Sequence, residues 1–235
     1  VEPIAGSTGT LIPPKGYLNR LRKICDKHGI LLIYDEVMTG VGRTGKFLAA
    51  EHWNINPDII ATSKGFGAGY VPLGAMTARQ EIVDAVLDGG GFQHGYTYAG
   101  NPIACAAGLA VINEIYAQNM MENTRVVGDV LLKGLKKLQT RFPFIGDVRG
   151  KGLLTAFELV SDLETMEPLP AEAAAHSRLV DIAYELGLII YSRRSRDGLK
   201  GDHFLVCPPM ITTAEQINDI LSILDDSLKI LANEI

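Results

Sequence analysis

Two short apolar runs, each ending in polar residues, constrain this fold most. Ile30-Leu31-Leu32-Ile33-Tyr34 runs into Asp35, and Ile59-Ile60-Ala61-Thr62 runs into Ser63-Lys64. Unbroken apolar stretches of this length are the mark of strands buried on both faces, as in parallel sheets covered by helices. Leu73–Thr77 reads as a third such strand. Between them, Pro14–His28 has apolar residues at helical spacing, with Pro14 suited to a first turn and Gly29 to a C-terminal cap. Thr39–Lys46 is glycine-rich and reads as loop. Alternating strand, loop and helix predicts an α/β fold. Ligands of open α/β sheets lie beyond the carboxyl ends of strands. Asp35 and Lys64 both occupy such ends.

The second half reads differently. Asn101–Ala117 is a small-residue helix and Met121–Phe142 a longer amphipathic one, stopped by Pro143. Gly108 lies inside the first helix, where glycine is costly unless something packs closely against it. Beyond Pro143, Gly152–Val160 reads as a strand, Glu172–Gly187 as a helix, Leu188–Tyr191 and His203–Val206 as strands, and Thr213–Leu231 as a closing helix. Thr213 and Gln216 have capping-box spacing. The expected organisation is part of a large, mostly parallel α/β domain with linking helices over 1–142, then a smaller α+β domain over 143–235.

Composition narrows the function classes. Net charge is −5, from 22 basic and 27 acidic residues, and no basic run exists, so nucleic acid is not the expected partner. No apolar stretch approaches the roughly 20 residues of a membrane span. The cysteines, Cys25, Cys105 and Cys207, have no metal-ligand spacing, and their odd number fits a reducing cytoplasm. Cys105, among small residues, reads as a buried packing group.

A carboxylate at one strand end and a lysine at the next suit pyridoxal 5′-phosphate (PLP). The amine can form an imine with the cofactor aldehyde, and the carboxylate can keep the pyridine nitrogen protonated. Taken singly, a lysine after a strand is an ordinary surface group and a strand-end aspartate an ordinary turn residue. Their surroundings are more specific. The chain carries Asp35-Glu36-Val37-Met38-Thr39-Gly40-Val41-Gly42-Arg43-Thr44-Gly45, Pro57-Asp58-Ile59, Ser63-Lys64-Gly65 and Gly69-Tyr70-Val71-Pro72-Leu73-Gly74-Ala75. His94-Gly95-Tyr96-Thr97-Tyr98-Ala99-Gly100-Asn101-Pro102 and Asp147-Val148-Arg149-Gly150-Lys151-Gly152-Leu153 follow. In this order the segments closely resemble the class III aminotransferases, which are fold-type I PLP enzymes. The resemblance runs from Glu2 to the C-terminal helix.

The resemblance implies catalytic roles for Lys64, which carries PLP, and Asp35, which pairs with the ring nitrogen. It implies that Val37 packs on a ring face and that Thr97 donates to the cofactor phosphate of a neighbouring subunit, hence a homodimer with a shared site. Arg196 is the candidate for the substrate carboxylate, with Arg193 and Arg194 as neighbours; no metal is implied. The implied reaction moves an amino group from an amine or ω-amino acid to a keto acid such as pyruvate or 2-oxoglutarate, in the cytoplasm. An aminomutase or racemase of the same superfamily, or a non-catalytic piece supplying only a dimer surface, are the alternatives. Ser7 stands where the ornithine and γ-aminobutyrate branches have an arginine-masking glutamate, and Met38 where many members have glutamine. The phosphate-binding turn and ring-stacking aromatic of the family are missing from this stretch. The chain therefore reads as the C-terminal portion of a longer enzyme, with activity expected only of the whole.

Overall fold

A computed structural model of the chain describes residues 1–195 and 200–235. They form two compact units: 1–4 with 13–121, and 5–12 with 122–235. The division falls near the start of the long helix, whereas the sequence placed it after that helix at 142/143. The helix buries Val127, Leu131, Leu135 and Leu138 in the core of the second unit, which explains its membership there.

In the first unit, helix α1 (Tyr17–His28) precedes strand β1 (Ile33–Asp35), followed by β2 (Ile59–Thr62) and β3 (Ala75–Ala78). Gly29 caps α1 in a left-handed conformation, as its position predicts, but the helix starts after Gly16 and leaves Pro14 outside. The sheet order is β1-β2-β3, with β1 parallel to β2 and β3 antiparallel to it, so this part of the sheet is mixed. The expectation of strands buried on both faces is not met. Leu32 and Tyr34 are buried with Leu18 and Cys25 of α1, while Ile33 on the other face is 46% exposed. Successive strand residues point to opposite faces, and among the described residues of this unit only one face is covered. Val1 lies beside β1: its amine donates to the Ile33 carbonyl (2.8 Å) and its carbonyl accepts from the Asp35 amide (2.9 Å).

Helices α2 (Gln80–Asp88) and α3 (Pro102–Ala117) complete the unit. The Asn101 side chain caps α3 by accepting from the Ala104 amide. A Cβ on Gly108 would stand 2.4 Å from Leu73 Cδ2, which supplies the close packing that glycine implied. Cys105 is exposed rather than buried, because α3 buries little beyond Gly108 and Ile115.

The second unit contains α4 (Met120–Arg141), β4 (Ile145–Lys151), β5 (Leu154–Leu159), α5 (Ala175–Glu185), β6 (Tyr191–Ser195), β7 (Lys200–Val206) and α6 (Ala214–Leu231). Its antiparallel sheet has the order β4-β5-β7-β6. Phe157 and Phe204 face each other across β5 and β7 with rings stacked 4.9 Å apart, at the centre of a core closed by α4, α5 and α6. The Thr213–Gln216 capping box starts α6. Strand β4 escapes a reading by pattern, since its two glycines and three charges mask its pairing. Among the described residues no helix is long and apolar enough to cross a membrane.

Candidate active site

Because β1 and β2 are parallel, their carboxyl ends open on the same edge of the sheet. Asp35 ends β1 opposite Ala61, and Lys64 follows just beyond the end of β2. Asp35 is exposed. Its Oδ1 accepts from the Val37 amide at 2.9 Å, which bends the chain out of the strand, and its other oxygen has no hydrogen bond among the described residues. Val37 is half-buried.

The neighbouring carboxylate does the opposite job. Glu36 is fully buried, with Oε2 accepting from Thr39 Oγ1 (2.6 Å) and the Ala49 amide (2.9 Å), and Oε1 from the Ala50 amide (2.8 Å). These amides open the short 3-10 turn Ala49–His52, so Glu36 ties both ends of the loop after β1 together. Burial, and secondly the charge of Glu36, pushes the Tyr34 phenol up to about 12.

The Lys64 turn is built on strain and close contact. Lys64 has φ 41, Ala68 φ 48 and Val41 φ 57, all left-handed without being glycine. Such residues persist where their surroundings over-determine them, and they cluster at ligand sites. Val41, 2% exposed, lies under the turn: a Cβ on Gly65 would come within 3.0 Å of it. A Cβ on Gly67 would lie 2.1 Å from the Val71 carbonyl oxygen. Ser63 Oγ donates to the Leu73 carbonyl (3.1 Å) and strap the turn to the segment leading into β3. Lys64 itself is exposed and forms no ion pair or hydrogen bond through its amine among the described residues.

Thr97 is exposed in the turn before α3, near Gly100, and bonds to neither Lys64 nor Asp35. Arg196 lies outside the described residues. Arg194 is engaged structurally, with Nε on Asp202 (3.3 Å) and Nη2 on the Ala171 carbonyl (2.9 Å). Arg193 donates to the Tyr191 hydroxyl at 2.7 Å. Glu36 and Val41 went unassigned by sequence reasoning. A carboxylate three residues before Thr39 was the one local signal; its hold on Ala49 and Ala50 is visible only in three dimensions.

The residues present fit PLP: a free amine and a half-engaged carboxylate sit at adjacent strand ends, beside glycines whose Cβ space is already taken by packing. The chain matches the family described as Aminotransferase class-III over residues 1–228. It is 40% identical over 227 residues to a leucine/methionine racemase of Thermococcus litoralis, covering 97% of this chain and 48% of that protein. It is 39% identical over 231 residues to a taurine–pyruvate aminotransferase of Bilophila wadsworthia, covering 96% and 50%. An amine transaminase from an uncultivated Pseudomonas species, solved in its PLP-bound form, superposes with a TM-score of 0.89 at 42% identity, over 97% of this chain and 51% of that one. The chain thus spans about half the length of the curated relatives it matches. On its motifs, its mixed sheet and these matches, this chain belongs to the class III aminotransferase family, whose cofactor is PLP.

Proposed function

We propose that the protein containing this chain is a PLP-dependent aminotransferase that moves an amino group from an amine or ω-amino acid to pyruvate or 2-oxoglutarate, acting as a cytoplasmic homodimer. The observation that carries the reading is the strand-end pair Asp35 and Lys64, with Lys64 held at a strained φ of 41 and its amine unengaged. PLP, when bound, supplies an aldehyde that captures amines and a ring that accepts the electron pair of a deprotonated carbon. Lys64 would hold the cofactor through its amine and, with that amine free, would move a proton to and from the donor carbon. Asp35 uses its unengaged oxygen to hold a protonated ring nitrogen. Its placement by the Val37 amide means no reorganisation is needed as charge develops. Val37 packs on one ring face. Thr97, unbonded to its own chain's pair, serves the phosphate of a partner subunit, and Arg196 serves the substrate carboxylate.

Ser7 cannot mask an arginine as glutamate would, which favours amines and ω-amino acids over ornithine. The likeness to a racemase sustains a second reading, in which Lys64 takes the donor-carbon proton from one face and a proton is returned on the opposite face, without an external acceptor. Product analysis with and without keto acid separates the two. The first test is borohydride reduction of the PLP-loaded intact enzyme followed by peptide mapping. The pyridoxyl group is expected on Lys64, and its appearance on another lysine overturns the site.

A further inference from the structure

The second unit holds a short loop by means that the aminotransferase reading does not use. Residues 5–12 fold back on themselves through paired bonds between Ala5 and Leu11 (3.2 and 3.0 Å), with the Gly9 and Thr10 amides donating to the Gly6 carbonyl. Ser7 and Thr8 stand exposed at the tip, while Gly9 and Thr10 are buried. The loop is strained: Thr10, a β-branched residue with no exposure, has φ 55, and its Oγ1 has no partner among the described residues. A turn of this kind needs an outside hold.

The hold comes from the sheet face opposite the hydrophobic core. Arg149 on β4 donates from Nε to the Gly9 carbonyl at 2.5 Å, and its Nη1 is braced by Asp147 (2.7 Å) and Glu158 (3.1 Å). His203 on β7 is 2% exposed, and its ring donates to the Ser7 carbonyl. The pairings Asp147–Glu158, Glu158–His203 and His203–Arg193 line these four residues up in one row across all four strands, with Arg149 two residues further along β4 opposite Ala156. Gly9 fits between the two donors only because it lacks a side chain. Its φ is +103, and a Cβ would lie 2.6 Å from Arg149 Nη2 and 3.2 Å from the His203 ring.

We propose that Arg149 and His203 form a two-point latch on the 5–12 loop, positioning residues that fix the exposed Ser7–Thr8 tip. The loop carries no ionisable side chain, so its response to pH comes from the sheet. The groups facing His203 are Glu158 on β5, Arg193 on β6 and Arg149 on β4 with Asp147 beside it. Burial holds His203 below its ordinary value of 6.5, with the Ser7 carbonyl and Glu158 pulling the other way and Arg149 and Arg193 adding to the depression. A depressed imidazole contributes its full stabilisation above that ordinary value and loses it as pH falls through the lowered one. Acid therefore opens the latch, because His203 takes a proton more readily once the loop has lifted and water reaches it.

Amide hydrogen exchange on the intact protein tests this without reference to turnover, with Thr10 and Leu11 as reporters. Arg149→Met and Gly9→Ala are each expected to raise exchange at both reporters about 10-fold or more, the scale of one lost charge-assisted bond, with β5 and β7 amides unchanged. Gly9→Ala removes no charge and carries the test should Arg149→Met fail to fold. With intrinsic rates divided out, wild-type reporter exchange should rise as pH drops below 6.5, while His203→Gln, which cannot titrate, should show no such rise. Reporter rates within twofold of wild type in Gly9→Ala, or equal acceleration throughout β5 and β7, overturn the latch. The same pH dependence in His203→Gln removes His203 from it.

Discussion

Glu36→Gln is the sharpest test of how the loop beside Asp35 is held. The substitution keeps the shape and replaces one acceptor oxygen by a donor. The glutamine carbonyl does best in the Oε2 position, where it still accepts from Thr39 Oγ1 (2.6 Å) and the Ala49 amide (2.9 Å). Its NH2 then meets the Ala50 amide, which had been 2.8 Å from Oε1. One buried donor loses a charged acceptor, at a cost of about 2 kcal/mol, or roughly 30-fold in a local opening equilibrium. Two neighbouring amides are thus expected to respond unequally. Native-state hydrogen exchange should show Ala50 accelerated about 30-fold and Ala49 much less, with the amides of α1 unaffected. Equal effects at Ala49 and Ala50, or a change below about threefold at Ala50, would mean that Glu36 is not the acceptor that closes this loop.

Further outcomes follow from the same geometry. Gly67→Ala, whose Cβ would meet the Val71 carbonyl oxygen at 2.1 Å, should cost about 1–3 kcal/mol and reduce borohydride-trapped pyridoxyl on Lys64; trapping equal to wild type would show that the turn has room to relax. Asp35→Asn should lower kcat by about 100-fold or more while retaining part of the bound PLP, and turnover near wild type would make Asp35 a turn residue only. Asp58→Ala removes a buried carboxylate that accepts from the Leu32 amide, Arg22 and Arg79, and should destabilise by about 3 kcal/mol in chemical unfolding. Burial alone would raise the Asp58 pKa, but the Leu32 amide and the two arginines outweigh it and hold it below its ordinary 3.8. Its contribution is therefore complete above that value and lost as pH falls through the lowered one, so the wild-type advantage over Asp58→Ala should vanish only in strong acid.

The sequence alone determined the linear facts of this protein. Apolar runs ending in Asp35 and in Ser63-Lys64 located two strands and the residues at their ends, because a strand buries apolar side chains and releases polar ones where it leaves the sheet. Local chemistry located Gly29 at the end of α1, the Thr213–Gln216 box at the start of α6, and Gly108 as a point of close packing, since each depends on a neighbour within a few positions or on the absence of a side chain. What the tertiary structure decided was pairing and exposure. That β3 runs antiparallel to β2, that only one face of β1 is covered within its unit, and that α4 packs with the C-terminal strands depend on surfaces distant in the chain. The same holds for Glu36 and for the hold of Arg149 and His203 on the 5–12 loop. A buried carboxylate is told from an exposed one only by the amides brought to it, and in Asp35-Glu36 the two adjacent residues meet opposite fates because successive strand side chains point to opposite faces.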